Sequence, residues 1–189
     1  MIFSQFINIY LNVLKINKNY FNNKNNFGEA AIYFAISIVI INSLISIIPN
    51  SAFLEFMSSY FGLGKIAGPS LKAAVITSII GWFIKSCYIH FAGVVLFPNK
   101  NTNCNFRKTL ILTGLVQSPL IFNFFVFGQI MLPLVFVTYI WYNVCLIVGI
   151  NVVYNYKSII KSTLIALAPL ILFILYILSN LVRSSATLT

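Results

Sequence analysis

Four polar side chains lie inside long apolar stretches of the sequence, where they are poorly solvated. Lys85 lies near the middle of one such stretch, and His90 follows it after about one and a half helical turns. Gln117 and Asn143 place amide groups in two further apolar stretches. A cation at the centre of a membrane helix costs roughly 2.5–3.5 kcal/mol, so intramembrane polar residues are functional candidates by default. These four residues are therefore the candidate intramembrane polar site.

Lys85 has two interpretations. In the functional one, it faces a polar cleft within the bundle and meets an anionic lipid headgroup or a small substrate. In the structural one, it contacts a carbonyl freed by a proline kink, or its stem extends along a tilted helix towards the interface. The chain has only two acidic side chains, Glu29 and Glu55. Glu29 lies at the edge of a predicted span, and Glu55 lies outside all of them. A buried ion pair with Lys85 is therefore not expected.

Catalytic and metal-binding patterns are absent from the sequence. There is no Asp, a single His and no H-E-x-x-H, G-x-S-x-G or P-loop pattern. The three cysteines lack the spacing of a metal site or of a complete disulfide framework. We expect no enzymatic activity, no cofactor and no metal.

The overall composition is that of an integral membrane protein. Apolar residues make up 60% of the 189 residues and charged residues only 7%. Soluble domains average about 45–50% apolar and about 25% charged residues, so a water-soluble surface is not feasible here. The net charge of +10 comes from cations that are scattered between apolar stretches. This pattern argues against a nucleic-acid partner, because such partners select a clustered basic face.

Five apolar stretches are long enough to cross a bilayer core, which needs about 20 helical residues. The predicted spans are residues 30–48, 71–97, 109–127, 129–154 and 163–182. The very short connection at 127–129 predicts that the third and fourth spans form a tight antiparallel hairpin. The predicted fold class is all-α, a polytopic transmembrane helical bundle with five spans.

The basic residues favour one orientation of these spans. Most of the cations fall on the N-terminal side of the first span, between the second and third, and between the fourth and fifth. The positive-inside rule therefore predicts a cytoplasmic N-terminus and an external C-terminus. Candidate contacts for an anionic lipid or a cytoplasmic protein partner are Lys100, Arg107, Lys108, Lys157 and Lys161.

The N-terminal residues have the periodicity of an amphipathic helix. Polar residues recur every three or four positions from Ser4 to Asn19, and aromatic and aliphatic residues occupy the opposite face. Such a helix is expected to lie flat at the membrane interface. The predicted organisation is a cytoplasmic amphipathic helix and polar linker at 1–27, a membrane domain at 28–183 and a short external tail at 184–189.

Several short motifs recur in a defined order along the membrane domain. They are F-x-x-T-L at 106–110, Ser118-Pro119, Ile140-Trp141, L-x-x-G-I at 146–150, a basic turn at 157–162, and Pro169. In order and spacing they resemble the Yip-domain family, five-span membrane proteins known in eukaryotes as Ypt/Rab interactors. The resemblance covers about residues 28–182 and implies a five-span fold. The chain lacks the eukaryotic Asp-Leu-Tyr-Gly-Pro motif and resembles the short prokaryotic members.

Two non-enzymatic functions are consistent with these features. The first is a membrane scaffold or adaptor that organises protein partners, further copies of itself or lipids at the cytoplasmic face of a prokaryotic cell membrane. The alternative is a small transporter or permease component that uses a polar cleft around Lys85. The family resemblance and the basic inner connections favour the first.

Overall fold

The computed structural model describes residues 2–47, 70–99, 102, 104–125 and 131–186, and the regular structure of these segments is helical. Within them, seven α-helices follow in chain order: α1 Ile2–Leu14, α2 Lys18–Asn22, α3 Glu29–Ile45, α4 Leu71–Phe91, α5 Phe106–Leu115, α6 Met131–Val153 and α7 Ile159–Ala186. Stretches of 3₁₀-helix occupy Lys24–Phe27 and Ser118–Phe125, and a π-helical turn, Ala92–Leu96, extends α4. The predicted all-α fold class is confirmed for these residues. The predicted connection at 127–129 lies outside them.

Three helical segments are long and apolar enough to cross a membrane: Leu71–Leu96, Phe106–Phe125 and Pro133–Val153. They coincide with the second, third and fourth predicted spans. The shorter apolar helix Glu29–Ile45 lies where the first span is predicted, and the apolar first part of α7, Ile159–Pro169, overlaps the start of the fifth predicted span. The 17 residues of α3 extend about 25 Å, less than the roughly 30 Å of a bilayer core. A topology of five spans therefore remains a prediction.

Helices α4 and α6 present large apolar side chains on the outside of the bundle. Ile84 of α4 is 61% exposed and Phe136 of α6 is 68% exposed. A soluble monomer rarely exposes apolar patches of this kind, whereas lipid tails solvate them at no cost. Helix α5 is enclosed, and every side chain from Ile111 to Val116 is buried. The central position thus belongs to α5, which packs against α3, α4 and α6.

Small residues allow these helices to approach closely. A Cβ atom added at Gly114 of α5 would lie 2.7 Å from the Cβ atom of Ala35 and 3.1 Å from its backbone. A Cβ atom added at Gly149 of α6 would lie 2.5 Å from a methyl group of Leu112. Gly81 of α4 differs, because a Cβ atom there would meet no atom within 4 Å. Close packing therefore depends on glycine at Gly114 and Gly149, and not at Gly81.

The third predicted span is interrupted after α5. The α-helix ends at Leu115, and Pro119, which has no N–H to donate, lies near the start of the 3₁₀ segment Ser118–Phe125. The carbonyl of Leu115, which loses its helical donor to Pro119, accepts the Ser118 hydroxyl at 2.6 Å, and the Asn42 amide of α3 donates to the carbonyl of Gln117 at 2.8 Å. Irregular backbone at membrane depth is tolerated where protein groups satisfy it or where it lines a polar cavity.

The N-terminal helices pack onto the bundle. The indole N–H of Trp141, near the middle of α6, donates to the carbonyl of Leu14 at 3.1 Å, and the thiol of Cys145 donates to the carbonyl of Val13. After α1 the chain turns through Ile16, whose φ of 53° is a strained left-handed conformation for a β-branched residue. The segment predicted as a polar linker holds α2, which contacts α6.

Helix α1 is buried at Val13 and Leu14 on its apolar face, whereas Ser4 and Asn8 on its polar face are exposed. Asn8 and Asn12 line an open cavity of about 480 Å³ between α1, α2 and α3, while Ile7 and Leu11 are about 40% exposed. The predicted amphipathic helix is thus present over Ile2–Leu14. Its location at the membrane interface remains a prediction.

Candidate functional site

Lys85 on α4 contacts one side chain of α6. Its ammonium group donates to the hydroxyl of Tyr142 on α6 and lies 4.4 Å from the centroid of the same ring. A desolvated cation over an aromatic face is stabilised by about 2 kcal/mol, and the hydroxyl adds a charge-assisted hydrogen bond. Tyr142 is buried, with 7% of its surface exposed. The Lys85–Tyr142 pair therefore satisfies the cation inside the bundle without a carboxylate.

One turn away, a chain of hydroxyl groups joins α4 to α5. The hydroxyls of Ser86 and Thr113 lie 2.6 Å apart, and the indole N–H of Trp82 donates to the Thr113 hydroxyl at 3.0 Å. All three side chains are buried. Thr113 also donates to the carbonyl of Thr109 one turn earlier in α5. Because every group has a partner, this seam holds the two helices in a fixed register.

His90 lies at the end of this seam nearest the basic connections. Its Nδ1 atom is 3.2 Å from the hydroxyl of Thr109 and 3.4 Å from the hydroxyl of Tyr154. The Tyr154 and Thr109 hydroxyls are 2.7 Å apart, and the imidazole packs edge-on against Phe106. His90 thus belongs to a hydrogen-bonded cluster that ties α4, α5 and the end of α6 together. Such a cluster is suited to holding helices, and it contains no carboxylate or second imidazole.

The two amide candidates have separate partners. Gln117 donates to the carbonyl of Thr113 at 3.3 Å, and Asn143 donates to the carbonyl of Tyr139 in its own helix at 2.8 Å. Lys85 and His90 also have their own, different partners. The structure therefore does not bring the four predicted residues together into one site.

A polar cavity of about 280 Å³ lies elsewhere in the bundle, between α3, α4, α6 and the 3₁₀ segment. Its polar lining includes Asn42, Ser46, Ser78, Gln117, Asn123 and Tyr139. Tyr139 packs edge-on against Tyr142, so the cavity neighbours the Lys85–Tyr142 pair without including the cation. Of the four predicted site residues, only Gln117 lines it.

The connection after α4 is fastened to the connection after α6. The hydroxyl of Thr102 donates to the backbone carbonyl of Tyr154 at 2.8 Å, and the amide of Asn99 donates to the carbonyls of Tyr154 and Asn155. Asn155, which follows the end of α6 by two residues, has a φ of 53°, a left-handed conformation that asparagine adopts readily. The thiol of Cys104 lies 3.4 Å from the Thr109 hydroxyl, and burial raises its pKa above the usual value. It is therefore a neutral, structural thiol at pH 7.

The predicted basic contacts flank these fastened connections. Arg107, the second residue of α5, is exposed, as are Lys157 just before α7 and Lys161 in its first turn, while Lys108 is half-buried. Lys100 lies outside the described residues. Because Thr102 and Asn99 bind the α6–α7 turn, the cations of both connections lie at one end of the bundle. We call Arg107, Lys108, Lys157 and Lys161 the basic end.

The comparisons leave the family open. Neither a family model, nor a curated protein, nor a solved structure matches this chain. The resemblance to the Yip-domain family therefore remains a prediction that rests on the short motifs alone.

The sequence did not indicate which residues complete these sites. Tyr142 lies in an apolar stretch like many other tyrosines, and no local spacing links it to Lys85, 57 positions earlier. Asn42 and Asn123 are visible as intramembrane amides, but only the packing of α3 against the 3₁₀ segment places both at one cavity. Pro119, which predicts a kink in the third span, was the one sequence feature that indicated the position of this cavity.

Proposed function

We propose that this chain is an integral membrane protein of the Yip type that acts as a non-enzymatic scaffold or adaptor at the cytoplasmic face of a prokaryotic cell membrane. The observation that carries the proposal is the basic end. Two connections far apart in sequence are hydrogen-bonded to each other, so their cations form one persistent surface. A surface held in this way is suited to binding rather than to chemistry.

Anionic partners are favoured by the charge of this surface. Each juxtamembrane cation contributes about 1 kcal/mol of attraction to anionic lipid. Arg107 and Lys108 also lie in the first turn of α5, where the positive end of the helix dipole adds to their field. The proposed partners at the basic end are anionic lipid headgroups or an acidic protein segment, and a further copy of this chain, which is itself strongly basic, would bind at another surface. With the basic end at the cytoplasmic face, the N-terminus is cytoplasmic and the C-terminus is external, as the five-span topology requires.

Crosslinking with mass spectrometry in native lipid particles tests the proposal. The double variant Arg107→Glu/Lys157→Glu reverses two exposed cations of the basic end. Lys72→Glu is the matched control, because Lys72 is also exposed but lies at the N-terminal end of α4, away from the basic end. We expect the double variant to lose a co-purifying protein or anionic lipid that the control retains. Equal recovery from all three proteins contradicts the proposal.

A transporter centred on Lys85 is the second candidate. Its support is the presence of a cation at membrane depth together with a neighbouring polar cavity. The Lys85–Tyr142 pair supports the structural interpretation instead, since the ammonium group already has a partner. Flux measurements in proteoliposomes separate the two. Selective flux that disappears in Lys85→Leu favours transport, and flux equal to that of empty vesicles removes this candidate.

A further inference from the structure

The polar cavity beside the 3₁₀ segment lies in the half of the bundle away from the basic end. Ser78 on its wall is about two turns, or roughly 10 Å, inside the start of α4, whereas the connection that carries the basic end follows the other end of α4. In the predicted topology this depth is the outer third of a bilayer core of roughly 30 Å. The cavity volume of about 280 Å³ exceeds that of one water, about 30 Å³, and approaches the roughly 300–1,000 Å³ of ligand cavities.

Two amide side chains on the cavity wall have an unpaired atom that is accessible. The Asn123 oxygen accepts from Thr138 at 2.6 Å, but its NH₂ group donates to none of the described residues. The Gln117 NH₂ group donates within α5, and its side-chain oxygen accepts from none of the described residues. Among the described residues that are not exposed, only Tyr20 and Asn42 have an unpaired polar side-chain atom that is fully enclosed. The free atoms of Asn123 and Gln117 are therefore accessible.

These accessible atoms give the cavity one donor and one acceptor. Asn123 is only 6% exposed and lines the cavity, so its accessible NH₂ group faces the cavity space. Gln117 supplies the acceptor from the other side of the break at Pro119. The hydroxyl of Ser78, which both donates and accepts, also has no partner among the described residues and is not enclosed. A ligand with one hydroxyl and one carbonyl group matches this set.

The rest of the lining restricts the class of ligand. None of the described lining side chains is charged, so a phosphate or ammonium group would be buried there without a counter-charge. Val39, Leu120 and Val135 add aliphatic surface between the polar groups. Tyr139, which also lines the cavity, is 52% exposed on α6, a helix whose outer face is apolar. The cavity is therefore suited to an uncharged amphiphile that enters from the bilayer beside Tyr139.

From these observations we infer that the cavity binds an uncharged membrane lipid of the diacylglycerol class. The free hydroxyl of the lipid donates to the Gln117 oxygen, an ester carbonyl accepts from the Asn123 NH₂ group, and the acyl chains remain in the bilayer. No charged headgroup holds such a lipid at the membrane surface, so it can reach the depth of Ser78. The site is separate from the basic end and from Lys85, and it requires neither the adaptor nor the transporter function.

Photo-crosslinking tests the inference, with the full chain in phosphatidylcholine nanodiscs that contain a trace of diacylglycerol carrying a diazirine beside one ester. We expect the label on peptides from the 3₁₀ segment and from the first half of α6, and we expect unlabelled diacylglycerol to compete with it. Phosphatidic acid and triacylglycerol with the same chains should not compete. Phosphatidic acid replaces the hydroxyl with a charged phosphate, and triacylglycerol replaces it with a third ester.

Two substitutions address the cavity itself. Ser78→Leu fills it with an apolar side chain, and Gln117→Met removes the acceptor while leaving the backbone carbonyl that Asn42 binds. Each should lower the labelling that diacylglycerol competes with at least fivefold. Ser37→Leu is the matched control, because Ser37 is an exposed serine of α3 that bonds within its own helix and does not line the cavity. We expect its labelling to stay within twofold of the natural protein.

The lipid competition in the natural protein decides the outcome even where a variant fails to fold. The inference is overturned if phosphatidic acid or triacylglycerol competes as well as diacylglycerol. A label confined to the exposed outer faces of α4 and α6 overturns it too, since the cavity would then hold water alone. It is equally overturned if Ser78→Leu and Gln117→Met are labelled like the natural protein, or if Ser37→Leu loses as much labelling as they do.

Discussion

The Lys85–Tyr142 pair predicts a specific energetic coupling between two helices. A hydrogen bond to a charged group contributes about 1.5–3 kcal/mol, and the ring contact at 4.4 Å adds about 0.5–2 kcal/mol. After Tyr142→Leu, the free ammonium regains some solvation by extending its stem, so part of this sum is recovered. We expect a coupling free energy of about 2–3 kcal/mol in the double-mutant cycle of Lys85→Met and Tyr142→Leu.

The single variants should differ in cost. Lys85→Met loses the coupling but also removes the roughly 2.5–3.5 kcal/mol cost of a cation at membrane depth, so its stability should stay within about 1 kcal/mol of the natural protein. Tyr142→Leu leaves the cation in place without its partner, and should be the more destabilising of the two.

Reversible unfolding by SDS in mixed micelles measures the four free energies of unfolding. Asn143→Leu combined with Lys85→Met is the control cycle, because Asn143 bonds only within α6 among the contacts described, and its coupling should be near zero. A coupling below about 0.5 kcal/mol between Lys85 and Tyr142 would refute the structural interpretation of Lys85. Tyr142→Leu would then cost nearly the same in the natural protein and in Lys85→Met.

Four further substitutions are open to the same measurement. Gly114→Ala should destabilise the protein by about 1–3 kcal/mol, since the new methyl group meets Ala35 at 2.7 Å, whereas Gly81→Ala, with open space, should be neutral or up to about 1 kcal/mol stabilising. Tyr20→Phe should stabilise by about 1 kcal/mol at pH 7 because the buried hydroxyl has no partner among the described residues. Burial raises the pKa of Tyr20 to about 12, so the natural protein should lose stability as the pH rises from 10 to 12, and Tyr20→Phe should lose less stability than the natural protein over that range. Tyr156→Phe should instead cost about 1–2 kcal/mol, since its hydroxyl lies 3.0 and 2.9 Å from two carbonyls. A Tyr20→Phe variant less stable than Tyr156→Phe would contradict the reasoning for both.

The positions of the apolar helices and of the break in the third span could be predicted from the sequence. The side-chain contacts between helices could not. Apolar length predicted the segments at Leu71–Leu96, Phe106–Phe125 and Pro133–Val153. Pro119 indicated where the third span loses its helical bonds. The partner of Lys85 could not be predicted, because the register of α4 against α6 depends on side-chain packing and leaves no periodic signal in either helix.

The N-terminal region shows the same limit. The spacing of polar residues predicted α1, but not that Asn8 and Asn12 face a cavity shared with α3. Composition indicated a polar linker around residues 17–26, yet Tyr20 and Phe21 are buried there. Two aromatic residues suffice to anchor an Asn-rich segment, and an average over ten residues conceals them.

The bonds from Trp141 and Cys145 to the end of α1 set an order for biosynthesis. Leu14 leaves the ribosome 127 residues before Trp141. At about 5–20 residues per second, the first helix waits roughly 6–25 s for the side chain that holds it. During that interval the exposed Val13 and Leu14 need another apolar surface, which the membrane or an insertion factor provides. The end of α1 thus reaches its final position only after most of the described helices have been synthesised.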